Sequence, residues 1–323
     1  RSSWVTGVQT CALPISACVK LFLFKSGSDS QEVRMTQKSS EQLLALVIFA
    51  RATSFLMVKH CLAALEVFNL LAVRFAIATV LLLILFRKRM RAITRATFGR
   101  GALLGLIFFA VMAGETVALS KTSSSTTALV ESSAIMLIPL LTGLWRRQWP
   151  ARAGLTAATV AFAGVACTIG QSGRFVINSG IVWCLGTAVI YALSVIFTDV
   201  LSKQDDAITL GVLQVAFMAL FSILATFAFE TPRLPEAPDV WAPVLYLAVV
   251  CSVFGFAIQP YAQSGTTSER ASLFLAITPA TATILGVLIL RETLTWIGAV
   301  GCGLILLSFF LANKPPRFLR EAP

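Results

Sequence analysis

The chain has 323 residues, 57% hydrophobic and only 13% charged, with a formal net charge of +11 and a mean hydropathy of +0.84. Soluble globular domains carry about 25% charged residues, so the composition excludes one and leaves little chain for a domain outside a membrane. The basic excess would point to nucleic acid in a soluble protein; here its placement along the chain decides its meaning.

Residues 1–34 differ in character from the rest of the chain. Their apolar run is short and broken by Pro14 and Lys20, unlike the clean apolar centre of a signal peptide. The stretch "SSWVTGVQTCALPIS" resembles the conceptual translation of sequencing-adapter read-through. Residues 1–34 are therefore expected to be a non-native or disordered extension, with Met35 as the native start.

Ten apolar stretches lie beyond Met35, near 42–60, 67–86, 101–120, 126–145, 153–170, 180–200, 209–229, 241–263, 271–290 and 294–312. A helix crosses the hydrocarbon with roughly 20 apolar residues. The runs are continuous and rich in Leu and Ala, without the alternation of outer-membrane strands. The expected fold is an all-α polytopic membrane protein with ten transmembrane helices.

Basic residues gather in alternate loops, including Arg87, Lys88, Arg89, Arg91, Arg146, Arg147, Lys203 and Arg270, while the opposite side holds Lys121, Arg174, Arg233 and Arg291. This asymmetry puts both termini, including a tail at 314–323, in the cytoplasm. It also makes the basic residues topology signals and lipid-bilayer contacts, with no nucleic-acid partner.

Several polar residues fall inside the spans. Arg51 is central in the first, too deep for comfortable snorkelling, whereas Lys59 lies near the outer end and can snorkel. Arg74 in the second reads as structural. In "GETVALSKTSSSTTALVESS", Glu115 and Glu131 lie inside or beside the third and fourth spans. A lipid-facing carboxylate there costs about 2.5 to 3.5 kcal/mol on insertion scales, so both are expected to face protein or water. Pairing with Arg51, proton coupling and binding of a substrate amine are open roles for Glu115; Glu131 either serves one substrate or pairs with Lys121 or Arg51. Pro139, Pro260 and Pro279 can bend their helices, which makes Gln259, Tyr261 and Thr278 cavity-wall candidates. Glu292 is expected to cap or bridge the turn into the tenth span. Small residues at Ala153, Ala157, Ala161, Ala299 and Gly303 allow close helix contact, within the chain or across a homodimer.

Seven cysteines without a C-x-x-C pair, and a single histidine, His60, argue against a disulfide framework, a metal site or a cofactor. The acidic pair Asp205 and Asp206 in "SKQDDA" has no histidine beside it. No catalytic residue is assigned.

A shift of 144 positions lays Ala118 on Ala262, Ser120 on Ser264, Glu115 on Gln259 and Arg147 on Arg291. A shift of 140 lays Arg51 on Tyr191 and Arg74 on Gln214. Glu131 meets the apolar Leu275. The repeats are expected at 35–170 and 171–313, five helices each. An odd number inserts the second copy upside down, and inverted repeats are a recurrent architecture of secondary transporters with the substrate site between the halves. The substrate or coupling candidates are Arg51, Glu115, Glu131, Tyr191, Gln214, Gln259, Tyr261 and Thr278.

"LLAVRFAIATVLLL", "VALSKTSSSTTALV" and "ITPATATILGVLILRETLTWIGAVGCGLILLSFFL", with Pro279, Glu292 thirteen positions on and Gly301 nine further, resemble the EamA-like ten-helix branch of the drug/metabolite transporter superfamily over about 42–312. The resemblance implies two inverted five-helix repeats, transport of small metabolites, and no covalent chemistry. Departures are Gln148 in "WRRQWP" where the family usually has glutamate, the displaced Pro139, and "FARATSF" in the first span. The expected function is secondary transport, with export of small polar or amphipathic metabolites, amino-acid-like or drug-like, across a bacterial inner membrane. No phosphate-binding loop occurs, so uphill movement needs coupling to a proton or to exchange. A receptor or scaffold is the alternative, and a membrane enzyme the weakest.

Overall fold

A computed structural model describes residues 37–91, 93–145, 152–169, 178–267, 271, 274, 277–292 and 295–313. The expectations for residues 1–34, Gln148, Leu275 and the tail at 314–323 lie outside these. The described residues contain helices and no strand. Seven helices are long and apolar enough to cross a membrane: Gln37–Cys61, Val67–Leu85, Arg95–Lys121, Ser124–Leu144, Ser179–Leu201, Ala207–Phe229 and Pro238–Ser264. Shorter apolar helices occupy the other three stretches. Their outward faces carry side chains such as Ile84 (66% exposed), Leu144 (77%) and Phe227 (71%), a surface suited to lipid and not to water.

In chain order, α1 is Gln37–Ala52 and α2 Ser54–Cys61. Next come α3 Val67–Leu85, the short α4 Arg87–Met90 and α5 Arg95–Lys121. The fourth span divides into α6 Ser124–Glu131 and α7 Ala134–Trp145, and α8 is Arg152–Ile169. In the second half, α9 is Ser179–Leu201 and α10 Ala207–Phe229. The eighth span contains α11 Pro238–Tyr246, a π-helical segment Leu247–Phe254 and α12 Gln259–Ser264. Finally come α13 Ile277–Leu288 and α14 Trp296–Asn313.

Helix starts carry the residues that satisfy free N–H groups. Thr94, Ser123, Asn178 and Asp206 each accept from the backbone N–H three residues on. Two further starts are capped from the other half of the chain. Glu230 accepts from Phe68 N (2.9 Å) and Asn69 N (2.8 Å) at the start of α3. Glu292 accepts from Ser124 N (2.8 Å) and Ser125 N (3.0 Å), and from both serine hydroxyls, at the start of α6. Glu292 thus caps a helix of the first half. Asp205 accepts from Arg100 (2.7 Å) and Thr97 (2.8 Å), and Asp206 pairs with Arg89 (3.0 Å). The acidic pair therefore ties the loop before α10 to α4 and to the first turns of α5.

Helices pair mainly across the halves: α3 with α10, α5 with α9 and α10, α6 with α13, and α8 with α14. The last pair meets at Gly164 and Gly301, where a Cβ on either would lie 2.8 or 2.7 Å from the other's carbonyl oxygen. Gly164 and Gly301 thus let the fifth and tenth spans approach closely within the chain. Gly211 on α10 faces the linker after the π-helical segment, and a Cβ there would lie 1.9 Å from the Ala257 carbonyl oxygen.

Because backbone cannot swing aside, Gly211→Ala is expected to lower stability by about 1 to 3 kcal/mol in detergent melts. Gly303→Ala, where nothing lies within 4 Å, is expected to leave the melt unchanged. Burial alone would raise the Glu292 carboxyl, but the hydrogen bonds from Ser125 and Ser124 outweigh it and hold the group below its ordinary value. A lowered carboxyl contributes its full stabilisation above about pH 4.3, the unfolded value, and loses it as pH falls through the folded one. Melting wild type against Glu292→Ala should therefore show a gap at neutral pH that narrows in acid.

Candidate functional site

The site begins with three interruptions of the spans. At Thr53, between α1 and α2, the hydroxyl donates to Ala50 O (2.7 Å), which also accepts from Cys251 Sγ (3.3 Å). Between α6 and α7, Ser132 Oγ donates to Ala128 O (2.5 Å) and Ser133 N to Val130 O (3.1 Å). In the eighth span, Ser252 Oγ donates to Leu247 O (2.9 Å) and accepts from Arg74 Nε (2.7 Å). Inside a bilayer, carbonyls released from a helix must find such partners, and the break is tolerated where it is buried or lines a cavity. π-helical turns often mark functional positions.

These interruptions surround Arg51. Its Nη1 donates to Gln259 Oε1 (2.8 Å) and to Tyr191 Oη (3.2 Å). Its guanidinium lies 4.1 Å from the centre of the Phe256 ring, which is packed edge-on to Phe75 (5.9 Å) and Phe108 (5.7 Å). Such cation–π placement strengthens when the pair is desolvated. Gly255 is required beside it, because a Cβ would lie 2.7 Å from Arg51 Cγ and 2.1 Å from Cys251 O.

Arg51, Glu115, Glu131, Tyr191 and Thr278 line one cavity, together with Phe55. Gly114 brings α5 against α9 at Thr187, one turn before Tyr191; a Cβ there would lie 2.2 Å from Thr187 Oγ1. The free space between the lining residues is about 20 Å³, room for roughly one water. Both carboxylates are buried. Neither forms an ion pair within 4.0 Å; among the described residues the ion pairs are Arg89–Asp206, Arg100–Asp205 and Lys203–Asp199.

The other residues singled out by sequence lie elsewhere. Gln259 touches the cavity only through Arg51. Gln214 is buried on α10 with no partner for either amide atom among the described residues. Tyr261 is half-buried, within electrostatic reach of Arg89 and Asp206. Arg74 is buried behind the cavity, bonded to Ser252. Lys59 donates to Leu119 O (2.6 Å) and Thr122 O (2.7 Å), closing the end of α5 and not reaching for headgroups. Ser54, Phe55 and Phe256 are not legible as site residues in the sequence, since hydrophobic and small side chains fill every span; only the lone aromatic–glycine run "FGF" at 254–256 marks the place.

Known proteins agree with this architecture. A sequence profile described as the EamA-like transporter family matches twice, over residues 39–170 and 178–314. Two proteins of Archaeoglobus fulgidus, each named an uncharacterized transporter, are similar to the chain. One is 25% identical over 271 residues, 84% of each chain. The other is 26% identical over 273 residues, 80% of this chain and 92% of its own. A solved crystal structure shares the fold at a TM-score of 0.66 and 19% identity, covering 88% of this chain and 99% of that one.

Two buried glutamines should respond oppositely to removal of the amide. Gln259→Leu leaves Arg51 Nη1 short of an acceptor and is expected to cost about 1 to 3 kcal/mol in thermal melts. Gln214→Leu removes two atoms that lack partners and is expected to be neutral or stabilising.

Proposed function

The chain belongs to the EamA-like transporter family, and from that membership we propose that it is a secondary transporter working by alternating access, exporting small polar or amphipathic metabolites. That it is a multi-pass membrane transporter follows from the family and the apolar helices. The observation that carries the finer reading is the convergence of Arg51, Glu115, Glu131, Tyr191 and Thr278 on one buried cavity, contributed by spans of both halves.

The halves, 35–170 and 171–313, are read as inverted repeats. The double profile match supports this, and so does the helix pairing. The second span packs on the seventh, the fourth on the ninth and the fifth on the tenth, each span meeting its own counterpart. A pseudo-two-fold axis between halves predicts that pattern.

The present cavity admits about one water, so a metabolite enters only after the helices part. Parting on one face breaks the Glu230 and Glu292 caps; on the other it breaks the Arg89–Asp206 and Arg100–Asp205 pairs. Each set joins opposite halves, so exchanging one set for the other would expose the cavity to one side at a time. We read the second set, and both termini, as facing the cytoplasm across a bacterial inner membrane; the basic excess in the loops beside that set supports the orientation. Transport needs no covalent chemistry, and Glu115 is the coupling candidate, through a proton or through exchange.

Purified protein in sealed vesicles should move a metabolite from a screened mixture saturably, and Glu115→Gln should lower that flux about tenfold or more. Unaltered flux in the variant removes Glu115 from coupling. Absence of any saturable flux from wild type favours a receptor or scaffold.

A further inference from the structure

Arg51 has its acceptors and its ring, whereas Glu131 does not have its complement. It closes α6, is buried, and its Oε2 has no partner among the described residues. The two cations that the sequence offers it lie elsewhere. Lys121 ends α5 exposed, and Arg51 acts only from beyond 4.0 Å, its Nη1 committed to Tyr191 and Gln259. Arg74 is bonded to Ser252 and forms no ion pair within 4.0 Å with either carboxylate. Glu115, a second acid, lines the same cavity as Glu131. A buried carboxylate in this position calls for a positive partner.

The scaffold does not need Glu131, because the corresponding position of the second half is Leu275. The space beside it, about 20 Å³, suits a water and equally an ammonium head. Glu131, Glu115 and Thr278 line this space, and their carboxylate and hydroxyl oxygens are acceptors of the kind that the three N–H groups of a primary ammonium require. Phe55, Tyr191 and Ile48 supply carbon surface for the remainder of such a molecule.

We infer that the cavity selects a small organic cation bearing a primary ammonium group, held by the Glu131 carboxylate. This rests on the transporter reading and names its substrate class. An anion seated on Arg51 is the rival chemistry.

Calorimetric titration of the full chain in detergent at neutral pH tests it, with butylamine and phenethylamine against butanol and phenethyl alcohol, and against butyrate and 3-phenylpropionate. The expected result is at least one amine bound about tenfold or more tighter than its alcohol, a preference lost in Glu131→Gln and weakened in Thr278→Val. If Glu131→Gln does not melt as a folded protein, the wild-type amine-to-alcohol ratio and Thr278→Val still decide. Amines binding no tighter than alcohols, carboxylates binding tightest, or an undiminished preference in folded Glu131→Gln each overturn the inference. Vesicle flux separates the two readings. Saturable movement of other metabolites without amine binding ends the ammonium site and leaves transport standing, while amine binding without flux does the reverse.

Discussion

A guanidinium in the middle of a membrane span has no water to solvate it, and the structure around Arg51 is arranged to meet that demand. One nitrogen needs oxygen acceptors, which Tyr191 and Gln259 supply from two different helices. The flat face needs an electron-rich partner, which Phe256 supplies. Placing Phe256 and Gln259 there requires the eighth span to abandon regular α geometry over Leu247–Phe254 and to carry glycine at 255. Within that segment the Ser252 hydroxyl donates to Leu247 O and accepts from Arg74. One buried charge thus dictates a helix interruption, a glycine and a second buried arginine contact.

The same rule governs the helix ends. N–H groups at a span's start cannot be left bare near hydrocarbon, and here several are satisfied by side chains from the opposite half. Glu230 and Glu292 are therefore both caps and bonds between halves. A change of shape that separates the halves must uncap a helix, so the bonds that stabilise the fold also set the barrier to its motion. In the proposed alternating-access reading, stability and transport are then linked through a small set of carboxylates near the spans' ends and not through the apolar packing, which resembles lipid in its solvent properties.

Within the cavity, the proposed repeat symmetry divides the polar residues into two kinds. Glu115 faces Gln259 in the repeat alignment and Arg51 faces Tyr191, and three of these four residues join through Arg51. Polar groups at both members of a pair suit a framework shared by the halves. Glu131, opposite an apolar residue, has no such counterpart, and its incomplete hydrogen bonding fits a group whose partner arrives with the substrate.

The sequence by itself determined the spans, because about 20 apolar residues are needed wherever a chain crosses hydrocarbon. It also led to the expectation that Arg51, Glu115 and Glu131 face protein or water, because isolated charges facing lipid are too costly. The repeat alignment brought Tyr191 and Gln259 forward through Arg51 and Glu115, but it ranked Gln214 and Tyr261 equally, and the fold puts these two away from the cavity. Only the tertiary structure decided that Arg51 would bond to Tyr191 and Gln259 instead of pairing with Glu115, that Lys59 would close α5, and that Glu292 would cap a helix 168 residues away. Each of these depends on which helices lie side by side and how they are rotated. Hydrophobic periodicity is faint when both lipid and neighbouring helices present apolar surface, so the pattern that orients a helix in a soluble protein is lost here.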